Sequence, residues 1–228
     1  MNLRKYVPRS AKRRYRAVRN FMRSYVLPPQ GCRAELYGYW KEPFDGENSP
    51  EGFLDPFYTR RTEYLIKIVQ EKVAADASIL EVGCGIGRNL KALHSKGYMN
   101  LSGIDISENA VRLLRACSPD LAATTTLYNG PVEKVVRTLP DRRYDFVFTM
   151  EALAHLHRES EGAFLEIARV ANRYLFAFED EETLSWRNFP RNYQKVFERL
   201  GWKQVHKDVG EETIGLGGGY VARLFVRN

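Results

Sequence analysis

The sequence predicts an α/β fold: a doubly wound, mostly parallel sheet with helices on both faces, an antiparallel terminal hairpin and a basic N-terminal helical arm. Three observations support this prediction. Strand-like and helical segments alternate through the middle of the chain, two strand-like runs near its end are joined only by a glycine-rich link, and the first 33 residues are rich in Lys and Arg. At 228 residues the chain suits one hydrophobic core with appendages.

The composition is that of a globular protein. It is 44% hydrophobic and 28% charged, which excludes collagen-like and wholly disordered classes. Neither an apolar run of the roughly 18 residues that a membrane span needs nor a secretory signal is evident, so we expect a cytoplasmic protein, peripheral at the membrane if its arm binds lipid. Cys32, Cys84 and Cys117 are spaced irregularly, which matches neither a disulfide framework nor a zinc pattern, and no metal site is expected.

Residues 1–33 are predicted to form a basic amphipathic arm. They hold ten of the 35 Lys/Arg residues and no acid, which leaves 25 basic against 28 acidic residues, a net charge of −3, for the rest. Pro28 and Pro29 end the predicted helix, because proline cannot continue its hydrogen bonds. Five apolar residues recur at spacings of three and four and share one helical stripe: Ala11, Tyr15, Val18, Met22 and Tyr25.

The role of this arm is left open by the sequence. In one interpretation the apolar stripe packs on the body while the cations stay in solvent. In another the arm binds an anionic surface, either lipid headgroups or nucleic-acid phosphates, because both attract clustered Lys and Arg. Of these two we rank lipid headgroups first. An organellar transit peptide is the remaining alternative.

Residues 34–58 form an aromatic-rich segment interrupted by proline and glycine. We expect it to pack without regular structure, as a lid or entry segment beside a site. A helix is predicted from Asp55 onwards, because Pro56 suits a first turn and Leu65, Ile68 and Val69 repeat at helical spacing.

The remainder, 59–228, is predicted to be the catalytic domain. Strand-like runs lie at 78–82, 99–104, 121–128, 144–149 and 172–178. Helical segments lie near 88–96, 107–116, 131–138 and 158–169. A further helix opens at Pro190 and closes at Gly201. The runs 202–209 and 219–226 have no helix between them, so they should pair as an antiparallel hairpin.

The most informative motif is a glycine-rich turn between the first strand and the next helix. Gly83, Gly85 and Gly87 allow the backbone to approach a ligand, and the helix that follows offers unpaired N–H groups. Arg88 stands where a dinucleotide fingerprint has its third glycine, which disfavours pyrophosphate binding. Asp105 follows at the end of the next strand, where a carboxylate can accept both ribose hydroxyls of an adenosine.

These motifs resemble those of the class I S-adenosylmethionine-dependent methyltransferases. E-V-G-C-G-I-G-R is similar to their glycine motif, G-I-D-I-S to their ribose motif, and the segment Tyr144–Leu156 to their fourth strand and following turn. The terminal hairpin is also similar to theirs, in which it completes a seven-stranded sheet with one reversed strand. The resemblance covers about residues 60–226 and implies S-adenosylmethionine as cofactor and S-adenosylhomocysteine as product.

The resemblance also implies roles for particular residues. Glu81, Gly83 and Gly85 should line the methionine part of the cofactor, with Gly87 completing the turn and Cys84 filling it as a small buried side chain. The adenosine part is assigned to three other residues. These are Asp105 for the ribose, Ile106 against the adenine, and Asn129, whose amide oxygen would accept the adenine amine where the family often has an acid.

Two residues after the fourth strand are candidates for catalysis. If the acceptor is a hydroxyl, a base must remove its proton, and histidine is suited to that task near neutral pH. His155 is the first candidate, with Glu151 four residues earlier on the same face, although a histidine that merely shapes the pocket is the alternative. Arg60 and Arg61 are expected either to meet an anionic group of the ligands or to lie in solvent.

The function that the sequence predicts is methyl transfer to a hydroxyl or amine of a small molecule, a sugar or a lipid-linked glycan precursor. Methylation of base amines is disfavoured, because Thr149-Met-Glu-Ala152 replaces the Asn/Asp-Pro-Pro-aromatic motif of those enzymes. Two alternatives remain. One is an RNA or protein methyltransferase recruited through the arm, and the other is a catalytically silent binding module.

Overall fold

A computed structural model describes residues 31–43, 59–209 and 219–227. The predictions for the arm helix and for most of the aromatic-rich segment therefore lie outside the described residues. In the part of the chain that is described, none of the helices is long and apolar enough to cross a membrane.

The described residues form a seven-stranded sheet in the order β3-β2-β1-β4-β5-β7-β6. The strands are β1 (Ile79–Val82), β2 (Leu101–Asp105), β3 (Thr126–Asn129), β4 (Tyr144–Met150), β5 (Ala171–Asp180), β6 (Trp202–Asp208) and β7 (Tyr220–Arg227). The first five are parallel, and β7 runs antiparallel between β5 and β6. The predicted parallel sheet with an antiparallel terminal hairpin is confirmed.

Helices cover both faces of this sheet. They are α1 (Arg33–Lys41), α2 (Thr59–Lys72), α3 (Arg88–His94), α4 (Glu108–Cys117), α5 (Pro119–Thr124), α6 (Val132–Val135), α7 (Gly162–Val170) and α8 (Tyr193–Glu198). Single turns of 3₁₀ helix lie at Val136–Thr138, Leu153–His155 and Arg158–Ser160.

The hydrophobic core lies in two layers because strand side chains alternate between the faces. On one face, Phe146 packs in a cluster with Leu65 of α2 and Leu90 of α3. On the other, Val147 belongs to a cluster with Ile167 of α7. The doubly wound architecture follows directly from this alternation along β4, whose inner residues are fully buried on both sides.

The prediction that the aromatic-rich segment lacks regular structure is wrong for its first part, which is α1. Leu36 and Tyr39 are buried one helical turn apart, and the Glu35 carboxylate accepts the N–H of Cys32 at 2.7 Å, which caps the helix start. The predicted boundary between arm and lid, at residues 33 and 34, therefore falls inside the first turn of a helix.

Two other element predictions differ from the structure. The predicted strand 121–128 begins as α5, because Pro119 suits a first helical turn, and only Thr126–Asn129 is strand. The helix expected from Pro190 starts at Tyr193, because the Asn192 side chain accepts the N–H of Lys195 at 2.9 Å and sets the helix start there.

Candidate active site

A pocket opens at the carboxyl ends of β1, β2 and β4, beneath α1. Leu36, Tyr37 and Trp40 of α1 line one side of it. The helix is held there by the Ser107 hydroxyl, which donates to the Lys41 carbonyl oxygen at 3.0 Å. Eight of the ten predicted site residues line the pocket: Glu81, Gly83, Cys84, Gly85, Asp105, Ile106, Glu151 and His155.

The glycine turn is shaped by left-handed backbone and by hydrogen bonds to β2. The φ angles of Gly83 and Gly85 are +80° and +52°, a region that favours glycine. The N–H groups of Gly83 and Cys84 both donate to the Ile104 carbonyl oxygen, at 2.8 and 3.0 Å. A Cβ on Gly83 would overlap the Ala152 side chain, whereas the space beside Gly85 is open. The turn thus leaves open space in the Cβ direction of Gly85, whereas the corresponding space at Gly83 is filled by Ala152.

Asp105 is oriented by two backbone N–H groups. Gly85 donates to its Oδ2 at 2.7 Å and Ser107 to its Oδ1 at 2.8 Å. Burial raises the pKa of Asp105, and these two hydrogen bonds oppose that rise. Each oxygen of a carboxylate can accept more than one hydrogen bond, so both remain able to accept a ligand hydroxyl. The geometry suits a ribose with two adjacent hydroxyls.

Glu81 lies fully buried at the other side of the turn. Asn89 donates to its Oε1 at 2.7 Å, and its Oε2 has no hydrogen-bond partner among the described residues. Burial raises the pKa of Glu81 to about 8. A cationic ligand group would stabilise the carboxylate form. This residue therefore fits the ammonium of a bound amino acid moiety such as that of S-adenosylmethionine.

Two predicted cofactor residues do not line the pocket. Gly87 faces the side chain of Leu114, so glycine is needed there for packing between α3 and α4. Asn129 donates through its Nδ2 to the Asp105 carbonyl oxygen at 3.0 Å and braces the ends of β2 and β3. Both residues support the turn and the strand ends from outside the pocket.

Glu133 is a lining residue that sequence reasoning missed. It is buried, and its Oε2 has no hydrogen-bond partner among the described residues. Its position, four residues after Asn129 in the segment following β3, places an acid close to where the family resemblance expects one for the adenine amine. An acid was thus present in the sequence, four residues after the position at which the family resemblance expects one.

Glu151 follows β4 in a strained conformation. Its φ is +60°, unusual for a residue with a side chain, and its N–H donates to the Phe178 carbonyl oxygen at 2.8 Å. Its carboxylate forms an ion pair with the buried guanidinium of Arg61. Burial raises the pKa of Glu151, and the Arg61 charge opposes that rise. Arg61 thus binds a catalytic candidate, while its neighbour Arg60 is exposed.

His155 lies at the end of the 3₁₀ turn Leu153–His155, with its ring centroid 4.2 Å from that of Trp40. Its Nδ1 is 3.3 Å from the carbonyl oxygen of Arg187. A carbonyl can only accept, so this contact assigns the proton of the neutral ring to Nδ1. Burial lowers the pKa of His155 to about 4, so the imidazole is neutral at physiological pH. A neutral imidazole can accept a proton, but with this lowered pKa it is a weaker base than the near-neutral histidine expected from the sequence.

Residues 80–173 match the model of a methyltransferase domain family. An O-methyltransferase of Pyrenophora dematioidea is 24% identical over 133 residues, which are 58% of this chain and 47% of the relative. The chain thus spans about half the length of this curated relative.

Solved structures show the same fold. Magnesium protoporphyrin IX methyltransferase from Synechocystis PCC 6803 with bound S-adenosylmethionine is 16% identical, with a TM-score of 0.65 over 86% of this chain and 96% of that one. A putative sarcosine dimethylglycine methyltransferase from Galdieria sulphuraria is 14% identical, with a TM-score of 0.62 over 75% and 86%. The cyclase SpnF is also similar, at 16% identity and a TM-score of 0.59 over 72% and 81%.

These matches confirm the resemblance to class I methyltransferases and support S-adenosylmethionine as the cofactor. They also show that one fold holds both methyltransferases and a cyclase. A fold does not by itself determine a reaction, so the acceptor must be argued from the site.

Proposed function

We propose that this chain, whose residues 80–173 match a methyltransferase domain and whose fold is that of solved methyltransferases, methylates a hydroxyl group of a small organic molecule, with sugars and lipid-linked glycan precursors as candidate classes. The observation that carries this proposal is the position of His155 on the pocket wall, where its Nδ1 lies against the Arg187 carbonyl oxygen and leaves Nε2 as the nitrogen that can accept a proton. An amine acceptor needs such a base less, because a neutral amine is already a nucleophile. The name of the O-methyltransferase relative agrees with this choice.

The pocket residues divide the binding of the cofactor between them. Asp105 would accept the ribose hydroxyls, Glu81 would bind the ammonium, and Glu133 would accept a hydrogen bond from the adenine amine. Gly85 leaves the space in which the ligand approaches the backbone. When bound, S-adenosylmethionine supplies a sulfonium methyl group that is already electrophilic.

The chain's own contribution to the reaction is then positioning, exclusion of water and removal of one proton. Helix α1 closes one side of the pocket with Leu36 and Trp40. Trp40 packs against the His155 ring, with the two ring planes tilted by 41°. With its proton on Nδ1, His155 has Nε2 as the nitrogen that can accept the proton of a hydroxyl. Arg61 pairs with the Glu151 carboxylate beside the same pocket.

The proposal is tested in two separate steps. Calorimetry with S-adenosylmethionine and S-adenosylhomocysteine measures cofactor binding without any acceptor. A panel of phenols, sugars and polyprenyl-linked sugars, with matched amines, is then incubated with methyl-labelled cofactor and analysed by mass spectrometry. Label on oxygen that is lost in His155→Ala supports the proposal. Label confined to amines, or cofactor binding with no transfer in the native protein to any compound of the panel, contradicts it.

The arm provides a second element of the proposal. Ten cations without an acid in residues 1–33 support attachment to an anionic membrane surface on the cytoplasmic side. Truncation before Cys32 should leave S-adenosylmethionine binding unchanged. It should weaken sedimentation with phosphatidylserine vesicles by about 1 kcal/mol for each cation at the surface.

The same experiment separates the alternatives for the arm. If intact protein does not bind the vesicles but binds RNA with an affinity that falls as the salt concentration rises, the arm is a nucleic-acid-binding segment and the membrane proposal is wrong. A truncated protein that fails to fold would instead show that the apolar stripe of the arm packs on the body.

A further inference from the structure

Glu179, near the end of β5, lies against the turn that carries both catalytic candidates. Its side chain is completely buried. Its Oε1 accepts the hydroxyl of Thr149 and the N–H of Ala152, the latter at 3.1 Å. Its Oε2 accepts the N–H of Ala154, also at 3.1 Å. One carboxylate thus joins the end of β4 to the start of the 3₁₀ turn Leu153–His155.

These hydrogen bonds meet a specific need of the backbone. The first N–H groups of a helical turn have no partner within that turn, and Glu179 supplies one from a neighbouring strand. Glu151, directly before the N-cap residue Ala152, has a left-handed conformation that costs about 1–3 kcal/mol and persists only where the surroundings enforce it. No side chain of the turn itself caps it.

The position of the turn matters for both ligands. Ala152 lies so close to Gly83 that a Cβ there would overlap it, and Ala152 and Leu153 both line the pocket. His155, at the end of the turn, is the candidate base. A displacement of this turn would therefore change the cofactor wall and the base together.

We propose that Glu179, in its ionised form, is a positioning residue that sets the geometry of the turn 152–155 for methyl transfer. This inference rests on the proposed function for its consequence in catalysis, but the local geometry can be tested without an acceptor. A carboxylate accepts at both oxygens, and its charge strengthens each of those hydrogen bonds. A protonated carboxyl can donate its O–H to the Thr149 hydroxyl, but it then accepts the N–H groups of Ala152 and Ala154 without the assistance of a charge.

The charge of Glu179 should change within an accessible pH range, so the effect of its ionisation on the turn can be measured. Burial raises its pKa to about 7, while the hydrogen bonds from Thr149 and the backbone oppose that rise. Among the described residues, the titratable groups on which its charge acts include the phenols of Tyr193 and Tyr220, whose own pKa values are raised by burial, so both stay neutral. The turn should therefore become better ordered as the pH rises through about 7.

The contribution of Glu179 to global stability has the opposite sign. A carboxyl whose pKa is raised on folding contributes stability below its unfolded pKa, and this contribution is lost as the pH rises through the folded value. A purely structural role would let turn order and global stability fall together. Positioning by the carboxylate predicts that turn order increases with pH while this contribution to stability decreases.

The test is amide hydrogen exchange of residues 152–154 between pH 6 and 8, corrected for intrinsic exchange rates. In native protein, protection should rise by about tenfold through pH 7, the equivalent of a hydrogen bond to a charged group. In Glu179→Gln it should be low and independent of pH. Glu181→Gln is the matched control, because Glu181 is a nearby carboxylate that binds Arg223 instead.

A second readout uses 5′-methylthioadenosine, which has no ammonium for Glu81 to bind. Native protein should bind it about threefold more tightly at pH 8 than at pH 6, and Glu179→Gln should lose that difference. Protection that is flat with pH in native protein, or that Glu181→Gln changes equally, would overturn the inference. If Glu179→Gln does not fold, the titration of the native protein still decides. Absence of nucleoside binding with normal exchange behaviour would count against the cofactor assignment alone.

Discussion

The two walls of the pocket are built in different ways. The nucleoside wall comes from the ends of β1, β2 and β3, where Asp105 is fixed by the backbone N–H groups of Gly85 and Ser107. The opposite wall combines Trp40 of α1 with His155, which contacts the Arg187 carbonyl far along the chain. The first wall is local in sequence and made largely of backbone. The second is assembled from side chains of separate segments.

This difference explains why the cofactor is easier to identify than the acceptor. Backbone N–H groups and glycines make a turn whose requirements restrict the sequence to a recognisable motif. A wall of packed side chains can be rebuilt with other residues of similar volume. The two walls meet at Gly83 and Ala152, so mutations on either side of this contact can show how far the walls are independent.

The largest effect is expected on the side-chain wall. If His155 removes the hydroxyl proton, His155→Ala should lower the transfer rate by about 10²–10⁴ with cofactor affinity nearly unchanged. The native rate should fall as the pH drops through the histidine pKa of about 4, a limb well below the one expected from Glu179. Steady-state rates against pH measure this.

The control is His157→Ala, which removes a histidine that accepts the N–H of Glu159 at 3.1 Å and caps the next turn. It should leave the acidic limb in place. A loss of less than tenfold in His155→Ala would make His155 a packing residue, and Glu151 would be the next base to test.

The second effect concerns the contact between the walls. Gly83→Ala places a methyl group on Ala152 and forces a left-handed residue, which together should destabilise the fold by about 2–4 kcal/mol and weaken S-adenosylmethionine binding. Gly97→Ala is a matched control, with a φ of +90° but open space beside it. Thermal unfolding and calorimetry measure both. Equal losses in the two variants would show that backbone strain, and not the contact between walls, is responsible.

The features that could be predicted from the sequence are those set by local backbone signals, and the features that could not are those assembled from side chains of separate segments. The seven strands, the hairpin and the glycine turn are visible because period and turn residues are local signals. Helix α1 was missed because its aromatic residues and Gly38 hide a short buried stripe of Leu36 and Tyr39. The packing stripe becomes evident only once its partner surface is known.

The same distinction between local signals and distant contacts applies to individual site residues. Asp105 was predicted from its place at a strand end, and the structure puts it on the pocket wall. Glu133 was missed because it lies four residues after Asn129, and no sequence motif fixes the distance between the end of β3 and such an acid. The role of Glu179 could not be predicted from the sequence. It depends on hydrogen bonds from the N–H groups of Ala152 and Ala154, which lie in a turn far from Glu179 along the chain.

A smaller effect is expected on the backbone wall. Asp105→Asn keeps the shape but turns an amide N–H₂ toward one of two backbone donors. S-adenosylmethionine binding should weaken by about 1.5–3 kcal/mol, the range for hydrogen bonds to a charged group. Asp145→Asn is the control, since Asp145 also accepts a backbone N–H, that of Ser78 at 3.1 Å, but at the opposite end of its strand. Unchanged affinity in Asp105→Asn, measured by calorimetry, would refute the ribose assignment.

The smallest effect is a pH dependence of cofactor affinity through Glu81. Its pKa of about 8 means that it holds a proton at neutral pH, and a bound ammonium would favour the carboxylate. Affinity for S-adenosylmethionine should therefore rise as the pH approaches 8, by up to about tenfold per unit below the pKa, and level off above it.

Binding at pH 7 should release a proton. Calorimetry in phosphate and in Tris, whose ionisation enthalpies differ, detects that proton as a difference in heat. Glu81→Gln should bind more weakly with equal heats in both buffers, and 5′-methylthioadenosine should release no proton from the native protein. Equal heats for native protein with S-adenosylmethionine would place the ammonium away from Glu81 and leave the glycine turn and Asp105 as the anchors of the cofactor.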